Sequence, residues 1–166
     1  MKAARFLSLL ALLLAFATTL SATSAQAQQR EVPYWASLRF DEVNMRVGPS
    51  EAYKIDWVYK RQGMPVKVIR LREGWRLVQD HEGVQGWIAE SQLRLTRGVL
   101  VVGEGLVDLR TEANATSALR WRAEPGVVGQ LIECREAYCE INIEGRTGWV
   151  PQERLWGAEE LEPTAP

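Results

Sequence analysis

The chain has 166 residues and a net charge of −1 at pH 7, from 20 basic and 21 acidic residues. No basic block is long enough to mark a nucleic-acid surface, so the composition argues against a nucleic-acid partner. The length suits one domain or two small ones and does not decide between them.

The first element along the chain is a predicted secretory signal peptide at residues 1–27. Residues 1–5 are short and basic, residues 6–16 are almost entirely apolar, and Ala-Gln-Ala at 25–27 has the small-x-small pattern of a cleavage site. The apolar run is shorter than the roughly 18 residues that a membrane-spanning helix requires. We therefore expect cleavage after Ala27, no membrane span in the exported chain, and a periplasmic or secreted location.

The remainder of the chain predicts an all-β protein. Glycine and proline interrupt every window that could form a helix, and apolar residues tend to alternate in short runs such as 66–68. Short alternating runs at regular spacing are typical of β-sandwiches and barrels. The seven tryptophans, all after residue 27, would give a small core the large side chains from which it benefits.

An internal repeat divides the β-rich part into two units. Three motifs recur in the same order: VNMR at 43–46 and VDLR at 107–110, REGWRLV at 72–78 and REAYCEI at 135–141, GVQGWI at 83–88 and GRTGWV at 145–150. The shift between copies falls from 64 to 63 to 62 residues, as hairpins of slightly different length would produce. We infer units at residues 34–97 and 98–156, each a partly open barrel of five short strands.

These motifs resemble those of bacterial SH3-like domains, a family of exported and cell-wall proteins. The likeness rests on VNMRVGPS, EGWRLV and GVQGWIAESQL in the first unit, and on VDLR, AYCEI and GRTGWVPQERL in the second. The second unit diverges, because no Gly-Pro follows Arg110 and Tyr138 replaces a tryptophan. The resemblance implies two tandem SH3-like barrels in an exported Gram-negative protein. It also implies a binding module for cell-wall peptide, peptidoglycan or an envelope protein.

Arg46 is the first candidate ligand-binding residue. Because side chains alternate along a strand, we expect Met45 and Val47 to pack inside while Arg46 points outward or pairs with an acid. We expect Gly48 to permit an unusual backbone angle where the strand ends. Arg46 is either a structural clamp for the following loop or a partner for a ligand carboxylate through its planar guanidinium. The clamp is favoured, because Arg110 recurs where the Gly-Pro is missing.

Three aromatic residues complete the candidate ligand site. Tyr53 lies in the long loop, a place where binding residues are common. Trp57 alternates with other apolar residues in either a core stripe or a binding strip, and Trp75 follows a hairpin turn. A cluster of Tyr53, Trp57 and Trp75 near Arg46 would suit a short peptide or a peptidoglycan stem. Exposed rings would favour a binding module. Buried rings would favour the alternative function, a structural component of an envelope assembly with the two units packed together.

The residue inventory does not favour catalysis. His81 is the only histidine, and it lies at a predicted hairpin tip between acids. No catalytic dyad and no metal-binding cluster can be assembled around it. We therefore predict no enzymatic activity, no catalytic residue, no bound metal and no cofactor.

Cys134 and Cys139 are the only cysteines, and export would place them where disulfides persist. They flank a four-residue connection between two predicted strands, and facing positions in such a hairpin suit a disulfide. We predict a structural disulfide. Because the closed loop is short, its stabilisation should lie at the low end of about 2–4 kcal/mol.

The last ten residues, GAEELEPTAP at 157–166, are acidic and contain proline. Such a composition is typical of disorder. The expected organisation is therefore a signal peptide at 1–27, units at 34–97 and 98–156, and a disordered tail at 157–166.

Overall fold

The computed structural model describes residues 30–161. The predicted signal peptide, with its cleavage site after Ala27, and the end of the predicted tail lie outside these residues. Between residues 30 and 161, no helix has the length and apolar character needed to cross a membrane. The described chain is all-β, as predicted, with fourteen strands in two seven-stranded sheets.

The first sheet contains the strands of the first unit. Their bounds are β1 Tyr34–Leu38, β2 Val43–Arg46, β3 Ile55–Tyr59, β4 Pro65–Arg72, β5 Trp75–Gln79, β6 Gln85–Ala89 and β7 Leu93–Arg94. A 3₁₀ turn at Glu90–Gln92 precedes the last of them. The strand order is β3-β2-β6-β5-β4-β1-β7, so β3 and the two-residue β7 form the edges.

The second sheet repeats this arrangement. Its strands are β8 Gly98–Val101, β9 Val107–Arg110, β10 Leu119–Ala123, β11 Val128–Arg135, β12 Tyr138–Ile143, β13 Arg146–Pro151 and β14 Leu155–Trp156. The order β10-β9-β13-β12-β11-β8-β14 is that of the first sheet, seven strands later. Each unit has seven strands where five were expected. The short β7 and β14 have two residues each, too few for an alternating pattern to show in the sequence.

Each unit has its own hydrophobic core. The first motif supplies its centre, since Val43 and Met45, and their counterparts Val107 and Leu109, are buried. The rest of the two cores comes mainly from the middle strands of each sheet. The apolar-x-apolar pattern of both motifs is therefore the inward face of β2 and of β9.

The glycine of each Gly-Trp motif is required by close packing. A Cβ built on Gly86 would lie 2.4 Å from Met45 Cγ, and one on Gly148 would lie 2.8 Å from Leu109 Cβ. Contacts this short do not occur between real side chains, so any larger residue would push β6 away from β2 and β13 away from β9. The repeat therefore preserves a glycine at the place where two strands of each barrel approach most closely.

The predicted disulfide is present. Cys134 and Cys139 are bonded, and they face each other across the β11–β12 ladder with their Cα atoms 4.0 Å apart. The hairpin tip between them includes Glu136 in the left-handed region, with φ of 52°. The bond therefore ties the base of a tight hairpin.

Two tryptophans connect the units. The Trp35 and Trp156 rings meet edge to face with centroids 4.3 Å apart, and the Trp35 Nε1–H donates a 2.8 Å hydrogen bond to the Glu159 carbonyl oxygen. Lys67 Nζ lies 5.7 Å from the Trp35 ring centroid and 5.9 Å from that of Trp156. The first and last parts of the described chain are therefore in contact.

The packed chain extends beyond the boundary expected at residue 156. Ala158 is 1% exposed and belongs to the second core. Glu159 accepts the hydrogen bond from Trp35 through its carbonyl oxygen. Composition alone could not reveal this packing, because it depends on one small alanine that lies in a core formed by distant strands.

Candidate functional site

Arg46 spans the base of the loop between β2 and β3. Its Nη1–H donates a 2.7 Å hydrogen bond to the Tyr53 carbonyl oxygen. In the second unit, Arg110 Nη1–H donates a 2.7 Å bond to the Ser117 carbonyl oxygen in the same way. Within residues 30–161, Arg46 makes no ion pair with an acid. The same arginine thus ties the same loop in both units, which favours the clamp interpretation.

The Tyr53 ring is exposed to solvent, and its position is fixed by contact with the Gly48 backbone. A Cβ built on Gly48 would lie 2.6 Å from three ring atoms of Tyr53, so the ring rests directly on the Gly48 backbone. Gly48 does not have a positive φ, and the expected unusual angle is wrong: glycine is needed here for contact. Tyr53 itself is 48% exposed.

Two expectations about the neighbouring strands also need correction. Val47 is 47% exposed, because β2 ends at Arg46 and the alternation does not continue into the loop. The expected stripe along β3 is divided: Tyr59 is buried, while Ile55 and Trp57 face solvent. A bulge in the β2–β3 ladder separates the pair Met45–Trp57 from the pair Arg46–Ile55.

Of the three aromatic candidates, Tyr53 is hydrogen-bonded to Arg46 through its carbonyl oxygen, and Trp57 lies on the strand beside β2. Trp57 is 59% exposed on the edge strand β3. Trp75 is half-buried on β5, and β6 separates it from β2. The residue opposite Arg46 on β6 is Trp87. The strand layout thus places Trp57 one strand from Arg46 and Trp75 two strands from it, and the four-residue cluster stays a prediction.

The second unit contains a surface that the sequence analysis missed. Leu119 and Trp121 on β10 are exposed in the same way as Ile55 and Trp57 on β3. Arg146 Cζ lies 5.1 Å from the centroid of the Trp121 ring. The sequence contains a pattern that predicts this surface. IDW at 55–57 and LRW at 119–121 are related by the same shift of 64 residues as the first motif.

The only strongly shifted ionisable group in the described chain is structural. Tyr59 Oη–H donates a 2.8 Å hydrogen bond to Asp80 Oδ2. Burial, followed by this bond and the negative charges of Asp80 and Glu82, raises the pKa of Tyr59 well above its ordinary value. Asp80 Oδ1 also accepts backbone N–H bonds from Glu82 and Val84, so the carboxylate holds the β5–β6 turn.

His81 follows Asp80 at the tip of this turn and is exposed, as its predicted position implies. Among residues 30–161, no three histidine, cysteine, aspartate or glutamate side chains are grouped to hold a metal ion. The hydrogen bonds that Asp80 accepts at this end of the barrel therefore stabilise the hairpin turn.

A model of the bacterial SH3 domain matches the chain twice, at residues 40–94 and 103–157. The chain belongs to the bacterial SH3 domain family. The two matches lie one in each sheet, which confirms the resemblance and the two tandem SH3-like units. Bacterial SH3 domains are binding modules. The two units are called the first and second SH3 units below.

Two solved structures from Trichomonas vaginalis resemble part of the chain. NlpC1 is 14% identical with a TM-score of 0.34, and the match covers 78% of this chain and 47% of that one. NlpC2 is 12% identical with a TM-score of 0.35, and the match covers 77% and 49%. The chain therefore spans about half the length of these structures. No curated protein is similar enough in sequence to count as a match.

One cleft forms where the SH3 units meet. It has a volume of about 860 Å³, and its walls include Lys67 and His81 from the first unit and Tyr138 and Trp156 from the second. The indole Nε1–H of Trp156 is buried, and it has no hydrogen-bond partner among the described residues. Because this nitrogen is closed off from solvent, it does not offer a hydrogen-bond donor to the cleft.

Proposed function

We propose that the protein is a non-catalytic, exported binding module that recognises cell-wall peptide or peptidoglycan through its first SH3 unit. The observation that carries the proposal is the exposure of Tyr53 and Trp57. About half of the surface of each residue faces solvent, and neither residue belongs to a hydrophobic core. Large aromatic side chains supply much of the contact energy of binding surfaces. Their exposure is what a binding module needs, and the packing of the two units does not bury them.

The loop is arranged to limit the entropic cost of binding. The Tyr53 ring is supported by Gly48, and the Arg46 clamp joins the two ends of the loop. A ring held in this way loses little further freedom when a ligand stacks on it. The binding residues thus lie on a loop that a rigid barrel positions.

Arg46 can serve as a clamp and still contact a ligand. A guanidinium carries five N–H donors, and the bond to the Tyr53 carbonyl oxygen uses one of them. The planar fork that remains matches a carboxylate. Cell-wall stem peptides carry carboxylates, so Arg46 would orient the ligand while Tyr53 and Trp57 supply apolar contact.

The disulfide supports an extracytoplasmic location. A bond between Cys134 and Cys139 persists in an oxidising compartment and is rare in the cytosol. The periplasm or the exterior of the cell is where peptidoglycan is accessible. The compartment and the proposed ligand therefore agree.

The alternative, a structural component of an envelope assembly, has one observation in its favour. Trp35 and Trp156 are packed between the two units, as that function expects of aromatic residues. This contact is internal to the chain, however, and the aromatic residues that the alternative needs buried, Tyr53 and Trp57, are exposed. The binding module is therefore preferred.

Co-sedimentation with purified peptidoglycan sacculi tests the proposal. The wild type should pellet with the sacculi, and Tyr53→Ala and Trp57→Ala should each weaken binding by about tenfold, as expected for central aromatic contacts. Phe40→Ala is the matched control, because Phe40 is an exposed aromatic residue of the same unit outside the loop. Failure of the wild type to pellet, or equal weakening by Phe40→Ala, would refute the proposal.

A further inference from the structure

A second concave surface lies between the two SH3 units, and we call it the basic groove. Its volume is about 1000 Å³. Its walls carry six cationic side chains, Lys60, Arg61, Arg94, Arg97, Arg122 and Arg146, and three carboxylates, Asp41, Glu124 and Glu144. Three of these cations pair with acids outside the walls, Lys60 with Glu42, Arg97 with Glu160 and Arg122 with Asp108. Neither Tyr53 nor Trp57 contributes to its walls.

Arg94 is one of the cations that the first unit contributes to this groove. It is half-buried, and its Nε–H donates a 3.3 Å hydrogen bond to Oγ of the fully buried Ser37. No carboxylate of the described chain lies within ion-pair distance of its guanidinium. A cation withdrawn from water without a counter-ion is costly, and an anionic ligand would offset that cost.

Two further arginines of the groove have no ion pair among residues 30–161. Arg61 donates a hydrogen bond across the units to the Gly126 carbonyl oxygen. Arg146 stacks on Trp121. The groove thus offers three cations without an ion pair within residues 30–161, at positions contributed by both units.

The wall formed by β10 adds backbone groups to these charges. β10 is the outermost strand of the second sheet, so one of its edges has N–H and C=O groups that no neighbouring strand pairs. Trp121, Arg122 and Ala123 of this strand line the groove. An extended peptide can add to such an edge as a further strand.

We propose that the basic groove binds an extended, acidic segment of a partner protein. Its carboxylates would meet Arg94 and Arg146, and its backbone would pair with β10. A dense polyanion such as a nucleic acid fits less well, because Asp41, Glu124 and Glu144 repel closely spaced phosphates. Carboxylates separated by neutral residues can avoid that repulsion.

Fluorescence anisotropy with a labelled peptide of alternating glutamate and valine tests this site in the full chain. The wild type should bind this peptide, should not bind the lysine–valine equivalent, and should bind more weakly as salt rises from about 50 to about 500 mM. Arg94→Gln and Arg146→Gln should each weaken binding at least about tenfold, since each removes a charge-assisted hydrogen bond. Arg146 is exposed, so its replacement leaves the fold intact.

Arg70→Gln is the matched control, because Arg70 is an exposed arginine of β4 outside the groove. It makes the same change in net charge and should alter affinity by less than about twofold. Trp57→Ala should also leave peptide binding unchanged, which separates this site from the one proposed for peptidoglycan.

Three results would overturn the proposal. The first is absence of binding to the glutamate–valine peptide, or equal binding to the lysine–valine peptide. The second is a loss of affinity in the Arg70→Gln variant as large as that in Arg94→Gln. That result would mean that binding depends on the net charge of the protein and not on the groove. The third is displacement of the peptide by an equal concentration of a soluble muropeptide or a single-stranded oligonucleotide, which would assign the groove to a different class of ligand.

Discussion

Replacing Tyr59 by phenylalanine tests the hydrogen bond that joins β3 to the β5–β6 hairpin. Tyr59 is 5% exposed, and its hydroxyl lies 2.8 Å from Asp80 Oδ2. Phenylalanine keeps the ring and its packing but leaves the buried carboxylate one partner short. A hydrogen bond to a charged group contributes about 1.5–3 kcal/mol. The variant should lose about that much free energy of unfolding at neutral pH.

The pH dependence tests a second property of Tyr59, the burial of its hydroxyl. The pKa of Tyr59 is raised in the folded protein, chiefly by burial, from an ordinary value of 10.0. Above about pH 10 the unfolded chain therefore loses the Tyr59 proton while the folded protein keeps it. The stabilisation is complete below that pH and decreases by about 1.4 kcal/mol for each further pH unit. Tyr59→Phe has no such loss.

Urea unfolding followed by tryptophan fluorescence measures both effects. The difference in free energy of unfolding between the wild type and Tyr59→Phe should be largest at neutral pH and should shrink by about 1.4 kcal/mol near pH 11. Tyr138→Phe is the control, since the Tyr138 hydroxyl makes no hydrogen bond to another residue between 30 and 161. A difference that stays constant from neutral pH to pH 11 would refute this account of Tyr59.

Two further changes test the local packing. The double variant Cys134→Ser, Cys139→Ser should lower the free energy of unfolding by about 2 kcal/mol, the loop-closure value for so short a loop. Equal stability of the reduced and the oxidised wild type in the same urea titration would contradict this. Gly86→Ala should cost about 1–3 kcal/mol because its Cβ would overlap Met45. The cost should be smaller in a Met45→Ala background, and a cost unchanged in that double-mutant cycle would show that Met45 is not the obstacle.

The sequence predicted local features well. Alternation in VNMR correctly placed Val43 and Met45 inside, because β2 is regular over those residues. The disulfide followed from two cysteines at the ends of a short connection, where one hairpin brings them together. In both cases the residues that interact are close along the chain.

Features that depend on distant strands were missed. Trp87 was not among the candidate residues, yet it lies opposite Arg46 on β6, a strand distant from β2 along the chain. The basic groove could not be predicted from the sequence, because its charged residues come from both units and form no continuous block. Val47 was misplaced for a different reason: the strand ends one residue earlier than its pattern indicates.

The contact between Trp35 and Trp156 has a consequence for a first unit produced alone. Trp35 lies in the first strand of the first unit, whereas Trp156 and Glu159 are among the last residues of the second unit. The two rings are 121 positions apart along the chain, so the first unit alone cannot bury the face of Trp35 that Trp156 contacts. A first unit produced without the second should therefore expose this indole to solvent, and the contact can form only in a chain that carries both units.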